Sequence, residues 1–306
     1  MFHKILVCSD GSTCALAAAR AAVAFARRNG AEIIVLNVFH FPYTGVGEMG
    51  VWAVAIDQVE LDRCAREEKE AVKRSICASF AELDTPHRII QEIGHPVEAI
   101  LRVAEREEAD LIVVGSRGLR GVKELFLGSV SSAVMHHARC PVLIVRGGHV
   151  PTGAAAFQEI VLASDGSERA QKATQVAVDM AKKFATSLTV LNVSVDLSSL
   201  MLPGEEEAVK REEAIFNQSI PDLYASRVLG LVRRKVGEVA KEAGVYCSYV
   251  QKRGHPYEVI VRFAEEHGSD LVVVGSRGLG GFEQMLVGSV SNYVAHHASC
   301  PVLIVR

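Results

Sequence analysis

The sequence predicts an α/β fold in which a doubly wound, five-stranded parallel sheet is built twice in tandem. Strand-like segments alternate with helix-like segments along the chain, residues 111–146 recur at 271–306, and short segments such as LIVVG are apolar throughout. Alternating strands and helices are typical of a parallel sheet covered by helices on both faces. The strands of such a sheet are buried on both sides and therefore lack polar residues.

The first copy begins with the segment HKILVCS, whose apolar and β-branched core predicts a strand. The Ala-rich segment CALAAARAAVAFARRNG predicts a helix that stops at Asn29 and Gly30. AEIIVLNV, residues 31–38, predicts the second strand, and residues 57–83 have helical spacing with many charges on one face. HRIIQEI and DLIVVG predict the third and fourth strands, PVEAILRVAEREEA and GSVSSAVMHHA predict helices, and PVLIVR predicts the last strand.

The internal repeat defines the domains. Residues 111–146 and 271–306 align without a gap, and 24 of the 36 positions are identical by direct count. The segments ILVCSDGS and IVLASDGS, at residues 5–12 and 160–167, also correspond. The join GGHVPTGAAAF is rich in Gly, Ala and Pro, which is typical of a linker. We predict a first domain over residues 1–146, a linker over 147–156 and a second domain over 157–306.

Two repeated motifs are expected to meet in one crevice of each domain. Five parallel strands of this kind commonly take the order 3-2-1-4-5, and ligands bind beyond the carboxyl ends of strands 1 and 4, where the winding reverses. Asp10 ends strand 1 and Gly115 ends strand 4, and their counterparts in the second copy are Asp165 and Gly275.

The loop after strand 4 has the composition of a phosphate-binding loop. Its glycines let backbone N–H groups approach a ligand, and the helix that opens at its end offers unpaired N–H groups to an anion. Ser129 can cap this helix or donate its hydroxyl to a phosphate, and Arg117 adds a cation. Glycines that only permit tight packing are the alternative, but two such loops, each facing a strand-1 aspartate, favour phosphate binding. The loop residues are Gly115, Arg117, Gly118, Gly128, Ser129 and Val130, and then Gly275, Arg277, Gly278, Gly288, Ser289 and Val290.

The pattern G-x2-G-x9-G-S resembles the ATP-binding signature of the universal stress protein family. The segments SDGS, GHP and CPVLIVR strengthen this resemblance, which covers essentially the whole chain twice. It implies a tandem universal stress protein, with two Rossmann-like domains of the adenine nucleotide alpha hydrolase type related by a pseudo-twofold axis. It also implies ATP or AMP as ligand, with Mg²⁺ accompanying the phosphates as a further candidate.

The resemblance also implies roles for individual residues. Asp10 would bond polar groups of the nucleoside, Val38 would contact adenine through its backbone, and Gly115 would lie near the ribose. Gly118, Gly128 and Ser129 would surround the phosphates. The matching positions in the second copy are Asp165, Val193, Gly275, Gly278, Gly288 and Ser289.

The segments after strand 2 differ between the copies. Residues 39–52 contain four aromatic side chains, whereas residues 194–224 are longer, acidic and interrupted by Pro203 and Pro221. If these segments cover the adenine end, the two sites are unequal, and we expect tighter ATP binding in the first domain.

These observations predict an adenine-nucleotide-binding protein of stress response or signalling, acting through nucleotide-dependent conformation or partner binding. The alternative is a slow ATP hydrolase or phosphotransferase using the same sites. Beyond Asp10 and Asp165, no repeated carboxylate is expected near the phosphates. His95 and His255 are candidate bases, although exposed histidines at helix starts are the favoured interpretation. We therefore expect a protein that binds adenine nucleotides rather than an enzyme.

Composition predicts a cytoplasmic protein without nucleic-acid or membrane partners. The formal net charge is −3, no apolar run approaches the ~18 residues that a membrane span needs, and the N-terminus does not resemble a signal peptide. The cysteines form no CxxC pair, and Cys8, Cys77, Cys140 and Cys300 sit in apolar sequence, so buried reduced thiols are expected. Metal binding at HHARC and HHASC is the minor interpretation. An apolar last strand at the sheet edge favours pairing with another strand. The resemblance implies that the last strands pair the two domains within the chain, and a homodimer stays open.

Overall fold

A computed structural model describes residues 2–39, 85–116, 127–146, 156–168, 170–194, 220–276 and 287–306, with scattered residues between 63 and 80. The chain divides into two compact units, Phe2–Val150 and Pro151–Arg306. No helix among the described residues is long and apolar enough to cross a membrane.

The first unit is a five-stranded parallel sheet with helices between its strands. The strands lie in the order β3-β2-β1-β4-β5, and each neighbouring pair is parallel, which confirms the predicted order. The described residues between 63 and 80 are helical. The elements are β1 Lys4–Cys8, α1 Thr13–Asn29, β2 Glu32–Phe39, β3 His87–Ile93, α2 Pro96–Arg106, β4 Leu111–Gly115, α3 Ser129–His137 and β5 Val142–Val145.

The second unit repeats this topology. Its strands lie in the order β8-β7-β6-β9-β10, again with every neighbouring pair parallel. The elements are β6 Ile160–Ala163, α4 Ala170–Phe184, β7 Leu188–Ser194, α5 Ile220–Ala243, β8 Cys247–Arg253, α6 Pro256–Glu266, β9 Leu271–Gly275, α7 Ser289–His297 and β10 Val302–Val305.

Helix α1 lies close to the sheet because its buried side chains are mostly alanines. Its first turn touches the end of β4, where a Cβ atom added to Gly115 would lie 2.8 Å from the carbonyl carbon of Cys14. Real Cβ atoms do not approach backbone so closely, so at Gly115 the packing role considered from the sequence is realised.

Both ends of α1 carry the predicted capping residues. The Ser12 hydroxyl oxygen accepts the Ala15 N–H at 3.2 Å, which satisfies one of the unpaired donors of the first turn. Gly30 ends the helix in the left-handed conformation with φ 63°, and its N–H donates to the Ala26 carbonyl. The helix stop expected at Asn29 and Gly30 is confirmed.

Two details differ from the sequence prediction. Ala156, placed at the end of the linker, is fully buried, as is Phe157 beside it. The Phe157 ring packs edge-to-face on Phe184 with centroids 5.3 Å apart, so both residues belong to the core of the second unit. Cys77, expected to be buried, is exposed, because it lies on the outer side of its helix while Ile76 and Phe80 face inward.

Substitution of Gly115 by alanine is expected to destabilise the first unit by about 1–3 kcal/mol, because the new methyl group overlaps the backbone of α1. Gly230→Ala is the matched control. Gly230 lies inside α5 with nothing within 4 Å of an added Cβ, so alanine should stabilise that helix by about 1 kcal/mol. Urea unfolding followed by circular dichroism measures both changes. A Gly115→Ala protein as stable as the parent would contradict the close approach.

Candidate functional site

The winding of each sheet reverses beside its first strand. In the first unit β1 pairs with β2 on one side and with β4 on the other, with Val7 opposite Val113. In the second unit β6 pairs in the same way with β7 and β9. The structure therefore brings Asp10 and Gly115 to the carboxyl ends of neighbouring strands, as the sequence predicts. Asp165 and Gly275 are brought together likewise.

The aspartate of each unit is held in a tight turn after the first strand. In the first unit, an Asp10 carboxylate oxygen accepts the Ser12 N–H at 3.0 Å, and Gly11 has φ 81°. In the second, Asp165 accepts the Ser167 N–H at 3.0 Å. A positive φ favours glycine, which explains the glycine that follows each aspartate. Both carboxylates are half-buried, so each is fixed by its turn and still reachable.

The N-terminus of α3 opens at the same edge of the sheet. The N-cap is Gly128, and its N–H donates to the Ser116 carbonyl at 2.7 Å, which anchors the helix start to the end of β4. This cap has no side chain, so among the described residues no cap side chain accepts from the first-turn N–H groups as Ser12 does in α1. Helix α7 starts in the same way, with Gly288 as its N-cap and the Gly288 N–H donating to the Ser276 carbonyl.

Ser129 is the first residue of α3 and Ser289 the first of α7. The predicted capping role of Ser129 is therefore wrong, since the cap is Gly128. Its hydroxyl is exposed and remains a candidate donor. Gly128 has φ −66° and ψ 155°, a conformation open to any residue. What glycine contributes at this position is therefore the missing side chain, not an unusual backbone.

Val38 and Val193 present backbone groups toward the crevice. The Leu36 carbonyl accepts the Ser9 N–H at 2.9 Å on the β1 side, and the Phe39 carbonyl accepts the Gly94 N–H at 3.0 Å on the β3 side. Carbonyl directions alternate along a strand, so the Val38 carbonyl points to the β1 side. The last residue of β1 is Cys8, which pairs with Leu36, and the Val38 backbone thus faces the space beyond it.

The backbone around Val193 follows the same alternation. Leu191 accepts the Ser164 N–H at 3.0 Å and Ser194 accepts the Gly254 N–H at 3.1 Å. The position expected to contact adenine is therefore built alike in both units.

Known proteins share this pattern. The Universal stress protein family matches the chain twice, over residues 1–146 and 156–306. The chain belongs to the universal stress protein family. A universal stress protein of Mycobacterium bovis is 31% identical over 211 residues, which make up 69% of this chain and 66% of that protein. A universal stress protein of Bacillus subtilis is 32% identical over 157 residues, covering 49% of this chain and 99% of that protein.

A solved structure confirms the fold over the whole chain. The crystal structure of a universal stress protein from Archaeoglobus fulgidus covers 99% of this chain and 96% of its own, with a TM-score of 0.66 and 22% sequence identity. The tandem arrangement predicted from the repeat is thereby confirmed, together with the α/β fold of each half.

Two pairs of buried polar residues at the site of this universal stress protein were not singled out from the sequence. The Asn37 and Asn192 side-chain amides donate to the carbonyls of Ser9 and Ser164, at 2.8 and 2.9 Å. Each fastens the aspartate turn to the second strand. The polar residue inside the repeated apolar segment VLNV is the signal that could have found them.

The Ser131 hydroxyl makes the corresponding bond at the helix. It lies 3.1 Å from the Ser116 carbonyl, and the Ser291 hydroxyl lies 2.6 Å from the Gly275 carbonyl. Each serine ties the start of its helix to the strand before it.

Part of the predicted site lies outside the described residues. This applies to Arg117, Gly118, Arg277 and Gly278, and to most of the segments that follow β2 and β7. The expected unequal affinity of the two sites rests on those segments and stays a prediction. Pro221 is described and lies at the second position of α5, where a helix tolerates proline.

The histidines considered as bases lie at the starts of helices. His95 and His255 are the exposed N-cap residues of α2 and α6, as the favoured interpretation expected. Both helices follow the outermost strand of their sheet, three strands from β4 or β9. His255 stacks on Tyr257 with ring centroids 5.7 Å apart, and Tyr257 packs on Tyr293 of α7 with centroids 4.5 Å apart. Among the described residues, no three His, Cys, Asp or Glu side chains form a group that could hold a metal ion.

The cysteines differ in exposure and acidity. Burial raises the pKa of the Cys8 thiol well above its usual range, and the nearby Cys140 and Asp10 raise it further. Cys14 and Cys300 are buried, whereas Cys77 is exposed.

Alkylation at pH 8 is expected to modify Cys77 rapidly and Cys8 hardly at all. The thiolate is the reactive form, and a raised pKa keeps Cys8 protonated at that pH. Peptide mass spectrometry after timed treatment with iodoacetamide measures both rates, and urea-unfolded protein, in which both thiols react, is the control. Modification of Cys8 as fast as Cys77 in folded protein would contradict the burial of β1.

Proposed function

We propose that this universal stress protein binds an adenine nucleotide, ATP or AMP, at the carboxyl edge of each sheet. It acts in stress response or signalling through nucleotide-dependent conformation or partner binding. The observation that carries the proposal is the meeting of a fixed aspartate and an uncapped helix N-terminus beside the winding reversal, in both units. The predicted cytoplasmic location and the pairing of the domains through their last strands stay predictions.

The phosphate end of the ligand fits the start of α3. A helix N-terminus carries a partial positive charge and unpaired N–H donors, which suit an anion. In α1 the Ser12 oxygen accepts one of those donors, whereas α3 begins at a glycine that supplies no such acceptor. Phosphate oxygens would take that place, with the Ser129 hydroxyl as a further donor. Gly288 and Ser289 offer the same at α7.

The nucleoside end fits the aspartate turn and the end of β2. The half-buried carboxylate of Asp10 is an acceptor for a ribose hydroxyl or an adenine amino group. The Val38 carbonyl beyond the end of β1 is a second acceptor on the same side. The amino group of an adenine ring lying between them would donate hydrogen bonds to these acceptors. Asp165 and Val193 supply the same groups in the second unit.

Slow ATP hydrolysis or phosphoryl transfer is the second candidate. Hydrolysis requires a positioned water or base at the phosphate end, usually with a metal clamp. His95 and His255 are exposed N-cap residues of α2 and α6, which favours binding over turnover. Mg²⁺ accompanying the phosphates stays a prediction.

Replacement of both Gly128 and Gly288 by valine is expected to abolish nucleotide binding and preserve the fold. The backbone conformation at both caps is open to valine, so the substitution mainly fills the space in front of the helix N-termini. Titration calorimetry with ATP and with AMP compares parent and double variant, and circular dichroism confirms folding. Equal affinity in the two proteins would overturn the phosphate role.

The parent protein is expected to bind ATP and release phosphate far more slowly than the ~10 per second of a typical enzyme. Release of inorganic phosphate from ATP with Mg²⁺ measures the rate, and the double glycine variant identifies any contaminating activity. Turnover near ~10 per second in the parent alone would establish the enzyme instead.

A further inference from the structure

The aspartate turn of the second unit is held by a lysine from a neighbouring helix. The Lys235 ammonium of α5 donates to the Gly166 carbonyl at 2.8 Å, directly after Asp165. Lys235 is half-buried, so this bond is partly shielded from water. A hydrogen bond from a charged donor is stronger than a neutral one, particularly away from solvent.

Helix α5 also packs directly against this turn. Gly166 has φ 74°, and a Cβ atom at this position would lie 3.1 Å from the Val232 side chain and 3.4 Å from that of Leu231. The lysine contact is therefore part of a packed junction between α5 and the turn.

A second chain of hydrogen bonds joins α5 to the other end of the turn. The Gln251 amide of β8 donates to the Ala225 carbonyl of α5 at 2.7 Å and to the Asn192 side-chain oxygen at 3.0 Å. Asn192 in turn donates to the Ser164 carbonyl at 2.9 Å. The residues on both sides of Asp165 are thus tied to one helix.

The first unit has a glutamine at the corresponding place, since Gln91 lies opposite Asn37 as Gln251 lies opposite Asn192. Asn37 donates to the Ser9 carbonyl as Asn192 does to that of Ser164. Asn37 is only 3% exposed, and its side-chain oxygen has no hydrogen-bond partner within the described part of the unit. At the offset of 160 that relates the later halves of the copies, Ser75 stands where the second copy has Lys235. The two copies therefore share the glutamine and differ at the position of Lys235.

We propose that Lys235 and Gln251 are positioning residues of the second nucleotide site. They fasten the turn at residues 164–167 to α5 and thereby hold the Asp165 carboxylate in place for the nucleoside. A ligand that meets a turn already fixed loses less free energy in ordering it. The inference rests on the proposed function, because the ligand is the same adenine nucleotide.

The experiment isolates one site at a time. Gly128→Val leaves the second site as the binding site for ATP, and Lys235→Met is added in that background. Loss of the charged hydrogen bond is expected to raise the Kd for ATP about tenfold, measured by titration calorimetry. Arg234→Met is the matched control, since Arg234 is the exposed neighbour on α5 and loses the same charge. Its Kd should equal that of the Gly128→Val parent.

A second set of variants separates positioning from folding. In the Gly288→Val background, where the first site remains, Lys235→Met should leave the Kd unchanged. Lys235→Arg retains a donor and should bind within about threefold of its Gly128→Val parent. Gln251→Leu should weaken the second site alone, and backbone amides of residues 164–167 should exchange with solvent faster in both Lys235→Met and Gln251→Leu proteins.

The results distinguish the positioning role of Lys235 from the proposed nucleotide binding. A parent protein that binds neither ATP nor AMP would overturn both. Binding in the parent, with the same second-site Kd in Lys235→Met and Arg234→Met proteins, would overturn the positioning role and leave the proposed function standing. Equal weakening of both sites by Lys235→Met would show a general loss of stability and would also overturn it.

Discussion

The site of this universal stress protein depends on the parallel pairing of β1 with β4, on the side of β1 away from β2. This pairing sends the loop after β1 to one face of the sheet and the loop after β4 to the other, which opens a crevice between them. The backbone of the first turn of α1 lies against the end of β4 at Gly115, and this contact fixes the distance between the start of α1 and the end of β4. Without that contact the two loops would have no fixed spacing, and neither the aspartate nor the helix start could serve one ligand.

The two helices that begin at this edge are used differently, and this sets the direction of a bound nucleotide. Ser12 accepts an N–H from the first turn of α1, while its own N–H holds the Asp10 carboxylate. That end therefore offers an acceptor and little attraction for phosphate. Helix α3 starts at Gly128 without a side-chain acceptor, and its N-terminus keeps the partial positive charge and the donors. With the phosphates toward α3, their oxygens meet hydrogen-bond donors. With the nucleoside toward Asp10, its hydroxyl or amino groups meet a hydrogen-bond acceptor.

The sequence predicted the strand order, the winding reversal and the meeting of Asp10 with the glycine loop, because alternating elements and a repeated motif constrain topology strongly. Of the two roles considered for Ser129, the capping role was wrong: serine is the preferred cap by residue type, and only the backbone shows that Gly128 is the cap. It overlooked Asn37, whose role depends on a carbonyl 28 residues away in sequence. The expected burial of Cys77 was wrong, because apolar neighbours on a helix do not fix which side of the helix a residue occupies.

Duplication lets the two sites be compared within one chain. The turn bonds, the helix caps and the direction of the β2 and β7 carbonyls agree in kind, so the groups that would touch a nucleotide are equivalent. Differences in behaviour then come from the segments after β2 and β7 or from the residues that hold these groups in place. In the second unit the asparagine oxygen is bonded to Gln251, and through it to α5, whereas within the described part of the first unit the Asn37 oxygen has no hydrogen-bond partner. The second turn is tied to α5 by the Lys235 and Gln251 bonds, and a turn that is fixed before the ligand arrives loses less free energy on binding.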